Sequence, residues 1–457
     1  MPVDSIHPQY SDSLSKWKMA RDCVKGAKAI KAATLTYLRN PDPEADDAAQ
    51  RYADYLQSAQ FLNVTARTKN AMVGMAFRKD SEIELPSQIE YLTDNATGDG
   101  LSIEQLGKKA VGDLLITGRY GLLADYPKTE AGQTAAQTSG IQASIKTYPA
   151  ESIINWATET VNGQSKLTLV VLKETAKGEG DEFQQEDIEQ YRVLMLLGGV
   201  YTVYIWRDDS ILDTFSPSQG NGQTFDVIPF VMAGAYANDP DVDDAPLIDI
   251  AEVNVGHYRN SADYEESVFL VGQPQAVISG LTQTWVDKAG GTFKFGSRNA
   301  WTLPEGGGAL MLQAQPNSMA MEAMIHKEAQ MVSIGARLIQ ATGQAETAEA
   351  ARIKHAGDNS VLANVVGNAS LAIAKAVTWC GMFMGVSENE EVTFVINSDF
   401  YEAKKQPADI MAEIQLYDRQ IIAKTDIRKS VRKAGIIATD RTDEDIEGEV
   451  EQVSPLL

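Results

Sequence analysis

Cysteine is nearly absent from this chain: Cys23 and Cys380 are the two among 457 residues. Two thiols cannot build a disulfide framework, so the core must hold the fold, and folding in a reducing cytoplasm is expected. Histidine is scarce too. The four, His7, His257, His326 and His355, are widely spaced, and no pair stands at metal-ligand spacing, which argues against a zinc site. Long apolar runs are missing. The most apolar window, VLMLLGGVYTVYIW, has 14 residues and a Gly198-Gly199 break, so it reads as a hairpin and not as a membrane span. The N-terminus, MPVDSIHPQY, lacks a basic region followed by an apolar run, so no signal peptide is expected.

Catalytic signatures are missing as well. The nearest approach to a phosphate loop, GLSIEQLGKK from Gly100, places six residues between its glycines and no Ser or Thr after the lysine, so it fails the P-loop pattern. No nucleophile elbow is present, and no GxGxxG follows a strand. Asp239, Asp241 and Asp243 stand at calcium-loop spacing, but Asp244 occupies the place of the turn glycine and Ile250 that of the bidentate glutamate. Such a run more often caps a helix N-terminus through the dipole. Carboxylate pairs are too common in an acidic chain to nominate a nuclease. The expectation is therefore a protein that is not an enzyme and uses no cofactor or metal.

Positive charge is in deficit, with 40 Lys and Arg against 63 Asp and Glu, a formal net charge of −23. That argues against a protein built to grip nucleic acid through its phosphates. Residues 1–40 depart from the rule, carrying seven Lys or Arg against three Asp. Lys18, Arg21, Lys25 and Lys28 there recur at helical steps and form a basic stripe, read first as a solvated face and second as a DNA or partner contact.

What the chain does contain is enough apolar material, 44% of residues, for two or three domains with real cores. Helical periodicity runs from Ser13 to Leu38 and again from Pro41 to Phe77, where Tyr52, Tyr55, Leu56 and Phe61 are core candidates. Ser102 and Gln105 form a capping box ahead of an apolar helix. From Gly121 to Gly234 the period changes to two, with strands expected at YGLLADY, KLTLVVLKE, YRVLMLLGG and VYTVYIW. The polar stretches KTEAGQTAAQTSG, AKGEGDEFQQED and SPSQGNGQT are expected as loops.

A long helix is expected over 246–268, with Ile248, Ala251, Val255, Tyr258 and Ala262 on one stripe and Asp249, Glu252, Arg259, Asp263 and Glu266 on another. At about 1.5 Å per residue it spans ~34 Å. A second helix of equal length is expected over 317–339. Its polar stripe holds Glu322, His326, Gln330, Ser333 and Arg337, and the opposing side holds Met321, Met324, Met331, Ile334 and Leu338. Between them, 269–316 is rich in strand signals (QAVISG, TFKFG, NAWTLP, ALMLQA). After them come a short small-residue turn, a long small-residue helix from about Thr347 to Met384, one strand at EVTFVIN, helices to about Gly435, and an acidic tail.

Several stretches, in this order, resemble the portal proteins of tailed bacteriophages: HPQYSDSLSKWKMARDCVKGAKAIKA, RYADYLQSAQFLNVTARTKNAMVGMAFRK, GRYGLLADYP, PLIDIAEVNVGHYRNSADYEESVFLVGQPQAVISG and ETAEAARIKHAGDNSVLANV. They cover most of residues 7–370. The resemblance implies an α+β portal-type fold: an α/β wing from 1–245 and the returning segment 351–435, stem helices at 246–268 and 317–339, a small β-rich clip at 269–316, and a tunnel loop at 340–350. Residues 436–457 would be a short acidic tail in place of a large crown. It further implies a homo-oligomeric ring, usually of twelve, at one capsid vertex of the virion, assembled in the host cytoplasm. Its partners would be double-stranded DNA sliding through the channel, the large terminase, a head-tail adaptor, and the major capsid and scaffolding proteins, with no membrane. A head-tail adaptor or minor capsid protein is the alternative, and a DNA-packaging enzyme subunit comes third. Sliding requires weak, sequence-independent contact. Candidates to line the channel are Lys288, Lys294, Arg298, Arg337, Glu346, Glu349, Arg352 and Lys354, whose cations could equally form intersubunit ion pairs. Subunit-interface candidates are Met321, Met324, Met331 and Tyr258.

Overall fold

The computed structural model describes residues 2–128, 140–161, 163–180, 185–272, 275–288, 303–312, 318–339, 360–387, 390–398, 400, 407–433, 436–437, 441–443 and 445–448. The chain divides into two compact units, Met1–Ser398 and Asp399–Leu457. Helix and sheet are mixed, an α+β arrangement.

Pro8–Lys25 (α1) starts where His7 accepts a hydrogen bond from the Gln9 amide through Nδ1 and Pro8 sets the first-turn φ. It ends at Gly26, whose φ of +88° no helix can continue. Ala27–Ala32 (α2) follows, so the single helix expected over Ser13–Leu38 is broken by a residue that Cβ sterics exclude elsewhere. The expected helix from Pro41 to Phe77 is likewise two: Ala48–Ser58 (α3) and Val64–Ala76 (α4), the latter capped by the Asn63 side chain on the Ala66 amide. Glu82–Glu84 (β1) precedes Ile103–Thr117 (α5). The expected capping box opens α5: the Ser102 hydroxyl accepts from the Gln105 amide at 3.2 Å and the Gln105 side chain accepts from the Ser102 amide at 3.1 Å.

Gly118, with φ +72°, ends α5 in a left-handed turn and lies so close to Asp243 that a Cβ would come within 2.4 Å of its carbonyl oxygen. The chain then enters Arg119–Asp125 (β2), the centre of an antiparallel three-stranded sheet between Ser144–Pro149 (β3) and Phe230–Gly234 (β9). A second sheet is a five-stranded antiparallel meander: Ile153–Val161 (β4), Gln164–Gly180 (β5), Gln185–Leu197 (β6), Val200–Arg207 (β7) and Ser210–Phe215 (β8). Gly198 and Gly199 turn β6 into β7 with φ of +56° and +80°, as the sequence suggests. AKGEGDEFQQED is not the loop expected of it. Ala176 pairs with Ile188 and Lys177 with Asp187, so the β5–β6 hairpin extends through most of this polar stretch.

Ile248–Gly272 (α6) leads to a small two-stranded sheet of Gln275–Ser279 (β10) and Gly308–Leu312 (β11), with Gln283–Lys288 (α7) between the strands in sequence. Met319–Ile339 (α8) follows. Val361–Phe383 (α9), with Ser360 as N-cap, packs on β2, β9 and α5, and Thr393–Val395 (β12) pairs with β1. Helix α9 is long and apolar enough to cross a membrane, yet half of its apolar window is buried in the fold, Val365, Ile373 and Val377 among the covered residues. In the second unit, Pro407–Asp418 (α10) and Lys424–Lys433 (α11) pack together, and Arg428 and Arg432 pair with Glu447 at 2.8 Å and Asp443 at 2.6 Å.

The calcium-loop spacing does not gather ligands. Asp243 accepts from the Tyr236 and Ala237 amides, Asp239 from the Asp241 amide, and Asp241 from the Gln9 side chain. All three lie near Arg119, which is buried against the Trp156 ring at 3.9 Å and donates to the Pro240 carbonyl. Burial lowers this guanidinium to about 10, with the aspartates opposing the shift.

Candidate assembly surface on the paired helices

Helices α6 and α8 run antiparallel. Lys327 reaches Asn260 Oδ1 at 2.6 Å, His257 Nε2 meets Glu328 Oε1 at 3.2 Å, and about two turns further along Gly335 lies against Ile250 and Thr68. They are 25 and 21 residues long, so the pair is not equal in length as the pattern suggests.

The apolar stripe read from the sequence is where α6 meets α1, α3 and α4. Ala251, Val255, Tyr258 and Ala262 are buried in one cluster with Cys23, Ile30, Tyr37, Leu38 and Tyr55. Polar side chains flanking that stripe on both sides fasten the contact. Asn254, fully buried, accepts through Oδ1 from the Val64 and Thr65 amides and the Thr65 hydroxyl, and donates to the Leu62 carbonyl at 2.8 Å. It supplies the start of α4 with a cap from another helix. Ser261 receives the Gln60 amide at 3.0 Å. Arg259 donates to the Tyr37 carbonyl at 2.7 Å, and Asp263 accepts the Tyr55 hydroxyl at 2.6 Å. Burial first, and then that carboxylate, raise the Tyr55 phenol. The Cys23 thiol, held up to about 12 by burial and then by Asp22, faces the Ala251 carbonyl at 3.7 Å.

Asn254, His257 and Ser261 escape a reading based on apolar stripes. Their signal is positional: 251, 254, 258 and 261 fall at steps of three and four, so a polar residue at 254 or 261 shares the buried face and must bring its own partners.

Helix α8 has the opposite character. Its polar stripe, Glu322, His326, Gln330, Ser333 and Arg337, is exposed throughout. So is much of its apolar surface: Met319 is 74% exposed, Ile325 54% and Val332 69%. Of the interface candidates, Met321 is exposed and Met324 partly so. Tyr258 and Met331 are different. Both are fully buried within the chain, leaving no surface for a neighbouring copy, and their role is internal packing. Among the channel candidates, Arg337 lies exposed on α8, and Lys288 ends α7. Lys294, Arg298, Glu346, Glu349, Arg352 and Lys354 lie outside the described residues, as do the tunnel-loop segment 340–350 and residues 273–274, 289–302 and 313–316 of the 269–316 insert.

A family model described as a domain of unknown function (DUF4055) matches residues 246–384, the stretch that holds α6, the small sheet, α8 and α9. Solved structures resemble the chain at low identity, three of them as follows. One, "Neck of native GTA particle computed with C12 symmetry", aligns at 15% identity and TM-score 0.42, over 80% of this chain and 89% of that one. "Virion of native gene transfer agent (GTA) particle" gives 14% and 0.43, over 88% and 98%. "Neck of empty GTA particle computed with C6 symmetry" gives 16% and 0.40, over 95% and 100%. No curated protein matches. TM-scores at this level carry no argument about function.

Proposed function

We propose that copies of this chain assemble into a portal-type ring at one vertex of a virion and form the channel through which double-stranded DNA is packaged and ejected. The observation that carries the reading is the α6–α8 pair. One helix is sunk into the body by apolar and polar anchors, its partner stands outside with Met319, Met321, Ile325 and Val332 uncovered, and a small β sheet lies between them in sequence. A single chain that leaves this much apolar surface on one helix gains by covering it with another copy. In a ring each subunit presents two different faces, and the contact is heterologous.

The charge balance suits a channel. A body of formal net charge −23 repels the phosphate backbone, so DNA passes without being held. In this reading the protein is not an enzyme. The large terminase supplies the packaging motor, a head-tail adaptor docks at the 269–316 tip, capsid and scaffolding proteins surround the wing, and assembly takes place in the host cytoplasm. Electron microscopy of the purified full chain tests it. Closed rings with a central hole support the reading, and a uniform monomer at the highest soluble concentration contradicts it.

A further inference from the structure

Away from the paired helices, four cations from four elements line one open cleft of about 390 Å³: Lys109 on α5, Lys146 on β3, Lys173 on β5 and Arg192 on β6. Two of them are already neutralised. Arg192 donates to Glu174 at 2.8 Å and pairs with Asp125 at 3.2 Å, and Lys173 pairs with Glu189 at 2.5 Å. Glu174 is spent in turn, accepting from the Tyr148 hydroxyl at 2.5 Å and from Gln190 at 2.9 Å as well as from Arg192. Asp99, the other carboxylate in the lining, accepts the Thr97 hydroxyl.

Lys109 and Lys146 are left over. Lys109 Nζ donates to the Thr147 hydroxyl at 3.1 Å and Lys146 Nζ to the Thr97 carbonyl at 3.2 Å; among the described residues neither forms an ion pair, although Asp113 lies near enough to Lys109, and Asp99 near enough to Lys146, to feel its charge. Each ammonium has three N–H donors and one neutral acceptor. In a chain with 63 acidic residues, two such groups sharing one cleft stand out. Lys109 is exposed and Lys146 half-buried on the open cleft, so their like charges repel through solvent, and a bound anion relieves that repulsion.

We propose that this cleft binds a phosphate oxyanion between Lys109 and Lys146. Tetrahedral oxyanion geometry gives both ammonium groups an acceptor at once, and the hydroxyls of Ser152 and Thr175 in the lining add donors for the remaining oxygens. A space of about 390 Å³ is of small-molecule size and admits a nucleotide or one phosphate of a nucleic-acid backbone. The proposal does not depend on ring assembly.

Calorimetric titration of the full chain with pyrophosphate, ATP and a short DNA duplex, at low ionic strength, provides the test. The probes are expected to bind saturably, and Lys109→Ala with Lys146→Ala to weaken binding by about tenfold or more. Lys108→Ala is the control, because Lys108 pairs with Glu104 at 2.7 Å and does not line the cleft. Lys109→Arg with Lys146→Arg keeps the charge and is expected to retain binding, which separates loss of charge from loss of fold. Binding of ATP and pyrophosphate assigns the site to a free phosphorylated ligand. Binding of the duplex alone, lost in the double alanine variant, assigns it to the nucleic-acid backbone. Absence of saturable binding by all three probes overturns the proposal, as does unchanged binding in a double alanine variant that melts like the parent.

Discussion

Helices α6 and α8 look alike in sequence, each with an apolar stripe, a polar stripe and a span of more than twenty residues, yet the fold uses them in opposite ways. The side chains of α6 point into a cluster built by α1, α3 and the start of α4, and even its asparagine and serine are consumed there. Helix α8 is buried at Met331 and Gly335 alone among its described residues, and its polar stripe with Met319, Met321, Ile325 and Val332 stays exposed. An amphipathic pattern thus fixes which face is apolar without fixing what covers it. For α6 the cover is intramolecular. For α8, in the portal reading, it is a neighbouring copy.

The sharpest break in that contrast is on α6. Tyr258→Ala removes a fully buried aromatic side chain and is expected to cost about 3–5 kcal/mol in denaturant unfolding. Tyr258→Phe is expected to be neutral or slightly stabilising, because the hydroxyl has no hydrogen-bond partner among the described residues. A loss of more than about 1 kcal/mol in the phenylalanine variant contradicts that account of the site. Asn254→Ala comes next, at about 2–4 kcal/mol, since two amides, a hydroxyl and a carbonyl at the start of α4 lose their partner together. A cost near zero would mean that α4 does not depend on α6 for its cap.

Alkaline pH probes the same contact more gently. The Cys23 thiol is held at about 12 by burial against α6, above the ordinary thiol value, so its contribution is present below pH ~9 and fades as pH rises toward 12. Stability is expected to fall across that window, and Cys23→Ala to reduce the slope by up to ~1.4 kcal/mol per pH unit. Identical slopes in parent and variant would show that the thiol is not the group losing its proton.

The α6 stripe, the capping box at Ser102 and Gln105, and the Gly198-Gly199 turn were all legible because each is a local signal with a fixed period or spacing. Other features depended on distance. Gly26 sits in an otherwise helical pattern, and only its positive φ, set by the packing of α1 and α2, shows that the helix stops there. The stretch AKGEGDEFQQED is polar almost throughout in sequence, so it carried no alternation to distinguish strand from loop. Tyr258 and Met331 carry the composition of an interface and the burial of a core, which a single sequence does not separate. The Lys109 and Lys146 cleft joins a helix to a strand 37 positions away, and nothing local announces it.

On α8 the smallest effect on stability accompanies the change most informative about function. Val332→Asp with Ile325→Asp places two charges on surface that is 69% and 54% exposed in the single chain, and is expected to alter unfolding stability by no more than about 0.5 kcal/mol per substitution. If that surface joins neighbouring copies, burying two unpaired carboxylates at every contact around the ring should prevent closure. Sedimentation velocity of the parent and the double variant, at matched concentration, is the most direct measurement. The account predicts a closed high-mass ring from the parent and folded monomer from the variant, and rings of equal mass from both would contradict it.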